Sequence, residues 1–318
     1  MAGLVTVFGG SGFVGTQVVR VLARNGWRVR VACRRPQRAV GVQPFGNVGQ
    51  IQLLKADVTD PESVERALQG ADACVNLVGI LYEAPGRGFR ETHVDGARNV
   101  AEACVRQGVG RLVHMSANGA DPDAASKYAR SKGEGERAVR KAVPDAVILR
   151  PSIIFGQGDG FFERFANLST FTPALPLFGW GEPRFQPVYV GDVARAVQNA
   201  IESSETEGRT FVLAGPKAYS FKELMQLMLK ETGRSRILLP LPHLAASFLG
   251  LFGNVQALVM QPILTSDQAL LLRQDNVAPE DAPGLQALGV EPTAVEAVIP
   301  TYLWRFRKGG QFAEQPAG

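Results

Sequence analysis

Leu4-Val5-Thr6-Val7-Phe8-Gly9-Gly10-Ser11-Gly12-Phe13-Val14-Gly15-Thr16-Gln17-Val18-Val19-Arg20-Val21-Leu22-Ala23-Arg24 joins an apolar run, a glycine cluster and a stretch of helical spacing. A short apolar run halted by glycines predicts a buried strand entering a tight turn. Val18, Val19 and Leu22 then mark the inner face of a helix over 16–24. Strand, glycine loop and helix in this order open a βαβ unit. Within the loop, Gly10 to Gly15 is a GxGxxG with Gly9 in front of it. The pattern alone is weak in a chain with 35 glycines among 318 residues, but its position between first strand and first helix gives it meaning. Glycines suit such a loop because the turn needs positive φ, the backbone must approach a pyrophosphate, and the helix must pack near the strand. Amides at the helix N-terminus then face the anion.

Working outward, the alternation continues. Arg28–Cys33 reads as a strand, Asp60–Gln69 as a helix capped by Asp60 with Pro61 in its first turn, and Ala73–Val78 as a strand. Residues 92–107 read as a helix, Arg111–Met115 as a strand, 128–142 as a helix and Ala146–Leu149 as a strand. Repeated βα units of this length predict an α/β fold with a doubly wound parallel sheet. After Ile154 the composition shifts. Residues 156–187 read as Gly-, Phe- and Pro-rich loops with one short helix, Val188–Val190 and Phe211–Ala214 as strands, 220–232 as an amphipathic helix, and 237–318 as Pro-punctuated helices. The expected organisation is a nucleotide-binding domain over 1–155, with 187–215 returning to it. A smaller, interleaved C-terminal subdomain covers 156–318, ending in a disordered 309–318.

The charge distribution is uneven. Eight basic residues (Arg20, Arg24, Arg28, Arg30, Arg34, Arg35, Arg38 and Lys55) precede the first acidic one, Asp57. They are interleaved with apolar residues, which argues against a disordered basic arm. A dinucleotide-binding fold that prefers NAD places Asp or Glu about 20 residues beyond the glycine loop, to accept from the ribose 2′-OH. Here the second strand ends in Ala32-Cys33-Arg34-Arg35. Arginines there suit a 2′-phosphate, and so NADPH (NADP+) in preference to NADH. The rest of the chain is acidic in balance, which disfavours a nucleic-acid surface.

Tyr128-Ala129-Arg130-Ser131-Lys132 places Tyr128 and Lys132 on one helix face. In that arrangement Lys132 would hold a nicotinamide ribose and lower the Tyr128 pKa toward neutrality. Tyr128 would then act as general acid/base, and Ser116 would orient a substrate oxygen. Three scattered cysteines and three histidines offer no disulfide framework and no metal-ligand spacing, so no metal is expected. Ile237–Ser266 lacks charged residues but is broken by prolines. It leaves open a buried subdomain helix, a partner or membrane-surface contact, and a spanning helix.

These residues resemble the short-chain dehydrogenase/reductase superfamily, in its extended or atypical branch. Gly9–Gly15 resembles the cofactor loop, Asp57-Val58 the adenine contact, and Asn76-Leu77-Val78-Gly79 the strand-end motif beside the cofactor. Arg150-Pro151-Ser152-Ile153-Ile154-Phe155-Gly156 and the run Val188 to Ala194 resemble two later motifs. A narrower resemblance rests on Arg34-Arg35-Pro36, the loop Phe45 to Gln50, Tyr128 to Lys132, Pro151 to Gly156 and Gln186 to Val190. These are similar to the NADPH-binding accessory subunits of respiratory complex I and their bacterial relatives.

That resemblance implies a cofactor site that adds Leu77, Val78, Gly79, Pro151 and Ile153 to the residues above. It implies tight NADPH binding with a structural or assembly role and complex I subunits as partners. The location would be the cytoplasmic side of a bacterial inner membrane or the mitochondrial matrix side, with membrane-surface contact through 237–266. Two departures from the extended branch, His93-Val94-Asp95-Gly96-Ala97-Arg98-Asn99 for Asn-Val-x-Gly-Thr-x-Asn and a short Ser116-to-Tyr128 spacing, fit cofactor binding without ordinary turnover. The competing expectation is a soluble NADP-dependent oxidoreductase or epimerase. It would use Ser116, Tyr128 and Lys132 on a sugar nucleotide or a quinone-biosynthesis intermediate.

Overall fold

The computed structural model describes residues 3–241, 266–272 and 274–310. The chain forms two compact units. The first comprises Met1–Pro151, Gly191–Leu213 and Pro279–Glu291; the second comprises Ser152–Val190, Ala214–Ala278 and Pro292–Gly318. The break thus falls at 151/152, and 279–291 groups with the first unit instead of the C-terminal one.

The first unit is built on β1 (Leu4–Phe8), β2 (Arg28–Cys33), β3 (Ile51–Lys55), β4 (Ala73–Asn76), β5 (Arg111–Met115), β6 (Val147–Pro151) and the strand Thr210–Leu213. They form one seven-stranded sheet in the order Thr210–Leu213, β6, β5, β4, β1, β2, β3, with every neighbouring pair parallel. Parallel sheets are covered on both faces, which is why consecutive residues of the inner strands, Val5 to Phe8, Ala73 to Asn76 and Leu112 to Met115, are buried instead of alternating in and out. Around the sheet run α1 (Phe13–Arg24), α2 (Pro61–Leu68), α3 (Gly96–Gln107) and α4 (Lys127–Ala142). Phe8, Leu68, Val100, Leu112 and Ile148 share one core cluster. The strand order reverses between β1 and β4, and in open α/β sheets ligands bind at the carboxyl ends of strands at such a switch point. The glycine loop leaves β1 there, and Asn76–Gly79 leaves β4.

Local sequence explains the element ends. Asp60 Oδ1 accepts from the Glu62 amide at 3.1 Å, with Pro61 in the first turn of α2. Ser126 Oγ accepts from the Ala129 amide at 3.2 Å and starts α4. At the other end of α2, Arg30 donates to the Ala67 and Gln69 carbonyls at 2.8 and 2.9 Å, favourable for a cation at a helix C-terminus. The expected helix over 92–107 is two pieces, a π-turn at Arg90–Asp95 followed by α3. Wide turns of this kind are frequent at functional sites, and this one contains the buried His93.

In the second unit, helices Phe162–Phe171 and Phe221–Glu231 pack Phe162, Phe221, Leu224, Met225 and Met228 into a core with Phe155, Phe178, Phe185 and Tyr302. Ser220 and Glu223 close a capping box on the second helix. Ile237–Leu241, read from sequence as the start of Pro-punctuated helices, is a strand parallel to Ala174–Phe178. Pro240 lacks an N–H but is tolerated in a two-stranded ribbon, where one edge needs no donor. Residues 156–187 accordingly hold strand as well as helix. Most of the 237–266 stretch, and 311–318 of the tail expected to be disordered, lie outside the described residues. No helix among the described residues is long and apolar enough to cross a membrane.

Candidate functional site

The glycine loop is held at both ends. Gly9, at φ +77°, donates to the Ala32 carbonyl at 3.2 Å, and Gly12 donates back to the Gly9 carbonyl at 3.0 Å. A Cβ at Gly15 would lie 2.2 Å from the Gly9 oxygen and 2.6 Å from the Gly10 Cα, so only glycine lets α1 start this close to the loop. The N-cap of α1 is Gly12, which has no side chain to satisfy the first-turn amides. Phe13, Val14 and Gly15 therefore begin a helix whose positive end is open to an anion. Ser11 hydrogen-bonds the Cys33 thiol, as does the Arg35 backbone, while burial pushes that thiol up. This ties the loop to the end of β2.

Leu77 donates to the Phe8 carbonyl at 3.0 Å, and the Leu77–Val78 peptide lies against Gly9. The Val78 amide is accepted by Asn76 Oδ1 at 3.1 Å. The Asn76 amide nitrogen faces His114 Nδ1 at 3.3 Å, so Asn76 donates there and the neutral His114 carries its proton on Nε2. A Cβ built at Gly79 would stand 3.6 Å from His93 Nε2 and 3.9 Å from Lys132 Nζ. The strand-end motif thus runs from the glycine loop to the Tyr–Lys helix. Asp57, at the end of β3, accepts from the Thr59 amide and hydroxyl at 3.1 and 2.9 Å, and the Val58 carbonyl accepts from Asn99 at 2.9 Å.

Lys132 is buried, and its ammonium donates to the Met115 carbonyl at 2.8 Å, the residue before Ser116. Burial lowers it to about 8, against an opposing pull from Glu136. Glu136 is itself gripped by Arg150 through bonds of 2.9 and 2.6 Å. Tyr128 is half-buried, edge-on to Phe89 and His93 with ring centroids 5.9 and 5.5 Å away. Its pKa moves opposite to the sequence expectation, up to about 12, because burial disfavours the charged phenolate. The Ser116 amide donates to the Leu149 carbonyl at 2.7 Å, and that of Asn118 to the Pro151 carbonyl at 2.8 Å. The Ser116 hydroxyl is buried with no hydrogen-bond partner. A buried orphan of this kind costs about 1–3 kcal/mol, which a ligand oxygen would relieve.

Arg34 and Arg35 are exposed at the end of β2. Ile153 lies in the second unit, where its carbonyl accepts from Val188 at 2.9 Å. One residue, His93, carries more of the site than sequence reasoning gave it. His93 Nε2 accepts from the Ile80 amide at 3.0 Å, so its proton is on Nδ1, donated to Ser131 Oγ at 2.8 Å; Ser131 in turn donates to the Tyr128 carbonyl at 2.8 Å. Burial, with Lys132 and His114 adding to it, lowers His93 to about 2. It is a neutral pin between the β4 loop and α4, and its only sequence signal was its departure from the usual asparagine. Among the described residues no three His, Cys, Asp or Glu side chains come together to hold a metal.

A glycine cradle at the switch point, an uncapped helix N-terminus and an unpartnered serine hydroxyl fit a nicotinamide dinucleotide, which when bound supplies a hydride donor or acceptor. Together with the doubly wound parallel sheet they define a Rossmann-type protein of the short-chain dehydrogenase/reductase class. The chain belongs to the NAD dependent epimerase/dehydratase family, whose profile matches residues 5–214. It is 37% identical to the mitochondrial NADH dehydrogenase (ubiquinone) 1 alpha subcomplex subunit 9 of Mus musculus, over 96% of this chain and 80% of that one. It is 27% identical to the mitochondrial NADH-ubiquinone oxidoreductase 40 kDa subunit of Neurospora crassa, over 98% of this chain and 82% of that one. Among solved structures it shares its fold with a UDP-glucose 4-epimerase of Thermotoga maritima, at a TM-score of 0.72 and 20% identity over 95% of this chain and 98% of that one.

Proposed function

We propose that the chain is an NADPH-holding accessory subunit of a respiratory NADH:quinone oxidoreductase, with a structural or assembly role and no turnover of the cofactor. The observation that carries this reading is the 37% identity to a complex I subunit along 96% of the chain. In this reading the loop Gly9, Gly10, Ser11, Gly12, Phe13, Val14 and Gly15 holds the pyrophosphate. Arg34 and Arg35 face the 2′-phosphate, Asp57 and Val58 the adenine, and Leu77, Val78 and Gly79 the backbone side of the cofactor. Ser116, Tyr128, Lys132, Pro151 and Ile153 complete the nicotinamide end. The protein works on the cytoplasmic face of a bacterial inner membrane, or on the matrix side in a mitochondrion. A raised Tyr128 and a Lys132 engaged with a carbonyl support holding over turnover.

The test is purification of the membrane NADH:quinone oxidoreductase through a tag on this chain, with mass spectrometry of the nucleotide released. Recovery of the chain alone, free of other respiratory subunits, would sink the reading. One observation favours an oxidoreductase instead, the unpartnered Ser116 hydroxyl beside the Tyr–Lys helix. That alternative requires oxidation of bound NADPH by some carbonyl substrate, abolished by Tyr128→Phe with nucleotide binding retained.

A further inference from the structure

His93 joins two segments of the first unit that are far apart in sequence. Its Nε2 accepts from the Ile80 amide at 3.0 Å, one residue past the Leu77-Val78-Gly79 stretch. Its Nδ1 donates to Ser131 Oγ at 2.8 Å, and Ser131 donates onward to the Tyr128 carbonyl at 2.8 Å. The ring is clasped by aromatics. Phe89 stacks on it with centroids 5.5 Å apart and planes at 26°, and Tyr128 stands edge-on at 5.5 Å and 85°. His93, Ser131 and Phe89 are all buried. The backbone is seated as closely. A Cβ at Gly135 would lie 2.3 Å from the His93 carbonyl oxygen, so only glycine lets the π-turn rest on α4 at that point.

A neutral imidazole carries one donor and one acceptor at fixed places on a rigid ring. Asparagine, the usual residue here in the extended branch, also has both kinds of group. Both of them stand two bonds from its Cβ, level with Nδ1 and short of Nε2, so it cannot span the same two partners. Histidine therefore fixes a spacing, that between the 77–80 segment and the Tyr–Lys face of α4. Both borders of this gap meet Lys132: a Cβ at Gly79 would stand 3.6 Å from His93 Nε2 and 3.9 Å from Lys132 Nζ. The glycine loop is held separately, through the Gly9 amide on the Ala32 carbonyl. A change at His93 thus loosens one end of the site and leaves the other in place.

We propose that His93 is a positioning residue for the nicotinamide half of a bound dinucleotide, setting the gap between Gly79-Ile80 and the Tyr128–Lys132 face into which the nicotinamide ribose fits. This rests on the dinucleotide reading of the site and adds to it a residue that touches neither phosphate nor adenine. The ring acts through its neighbours, the Ile80 amide on one side and Ser131 on the other. Cutting either bond lets the two borders of the gap move independently.

The test uses the full chain freed of nucleotide and compares each dinucleotide with its own adenine fragment, NADPH with 2′,5′-ADP and NADH with ADP. His93→Gln reaches as far as Nε2 and His93→Asn as far as Nδ1, so each restores one bond of the two. Both variants are expected to weaken the dinucleotide that wild type binds about 5–10-fold, while changing its fragment less than about 2-fold. Fluorescence of the bound reduced nicotinamide, which reports the surroundings of that ring, should move toward that of the free cofactor in both. Ser131→Ala should add little to His93→Gln, which has already lost that bond. Should the histidine variants fail to fold, Ser131→Ala alone carries the comparison with the same ligands. Wild-type dinucleotide affinity and fluorescence in either histidine variant overturns the proposal. An equal loss for dinucleotide and fragment overturns it too, being the mark of a residue that only supports the fold. A wild-type chain that binds neither NADPH nor NADH instead overturns the dinucleotide reading itself.

Discussion

Lys132 brings a charge into a buried setting where its hydrogen-bond acceptor is a carbonyl oxygen, and that choice has a pH signature. Its folded pKa of about 8 lies below the ordinary lysine value of 10.5, so between the two the unfolded chain binds more protons. Stability should rise with pH through that window, and below pH 8 the buried charge imposes its full cost. Lys132→Met is expected to abolish the rise and to stabilise the protein near neutrality by on the order of 2–3 kcal/mol. Denaturant titrations at pH 7, 8, 9 and 10 check this; an unchanged slope would mean the ammonium is not the cause. His93 and His114 act at the acid end, lowered to about 2 and about 3 from 6.5. The unfolded chain takes up protons below 6.5 that the native rings refuse, so stability is lost as pH falls from 6.5. His93→Gln should make that acid limb shallower in a circular-dichroism titration, whatever it does to stability at pH 7. At this scale the sequence placed Ser116 just past β5, and Lys132 reaches the Met115 carbonyl beside it. The sequence misjudged the direction of the Tyr128 shift, because spacing puts a lysine on a face without saying how far burial raises the phenol.

Elements were legible where their signals were local. β1 ends where Gly9 and Gly10 stop it, β2 shows its alternation through Val29 and Val31, and α2 begins at its Asp-Pro pair. β3 carried no such mark. It is an edge strand, Ile51-Gln52-Leu53-Leu54-Lys55, whose partial exposure admits polar residues and blurs the period. The π-turn at 90–95 was also invisible, since six residues are too few to separate its period from that of an α-helix. The glycine loop was the most legible element, and its geometry yields a direct prediction. A methyl group at Gly15 meets backbone atoms of Gly9 and Gly10, which cannot rotate away. Gly15→Ala should therefore displace α1, cost about 1–3 kcal/mol and abolish dinucleotide binding. Gly41, with nothing within 4 Å of its Cβ position, is the control, and Gly41→Ala should stay within about 0.5 kcal/mol of wild type. Equal melting temperatures for the two variants would show that the loop has slack its contacts do not suggest.

At the scale of the whole chain, the uneven charge resolves into separate tasks. Arg30 closes the end of α2, Arg20 stacks over the Phe45 ring at 4.3 Å, and Arg34 and Arg35 stand exposed at the end of β2. The sequence could expose the missing carboxylate at the end of β2 but not that Arg30, on that same strand, turns to the Ala67 and Gln69 carbonyls. Nor could it place 279–291 in the first unit, because that grouping depends on contacts such as the Val212 amide donating to the Pro283 carbonyl at 2.9 Å. If NADPH is a held ligand, its binding energy is part of the stability of the fold. A ligand at 100 times its Kd adds about 2.7 kcal/mol, a large fraction of the roughly 5–15 kcal/mol that keeps an ordinary domain folded. Thermal unfolding should therefore shift upward with NADPH and much less with NADH at the same concentration. Arg34→Glu with Arg35→Glu should erase the NADPH shift, and a cell carrying that pair should assemble less membrane NADH:quinone oxidoreductase. A double variant that keeps the full NADPH shift would remove the arginines from the site. One that loses the shift yet assembles the respiratory enzyme normally would separate cofactor binding from assembly, leaving NADPH as a passenger on the subunit.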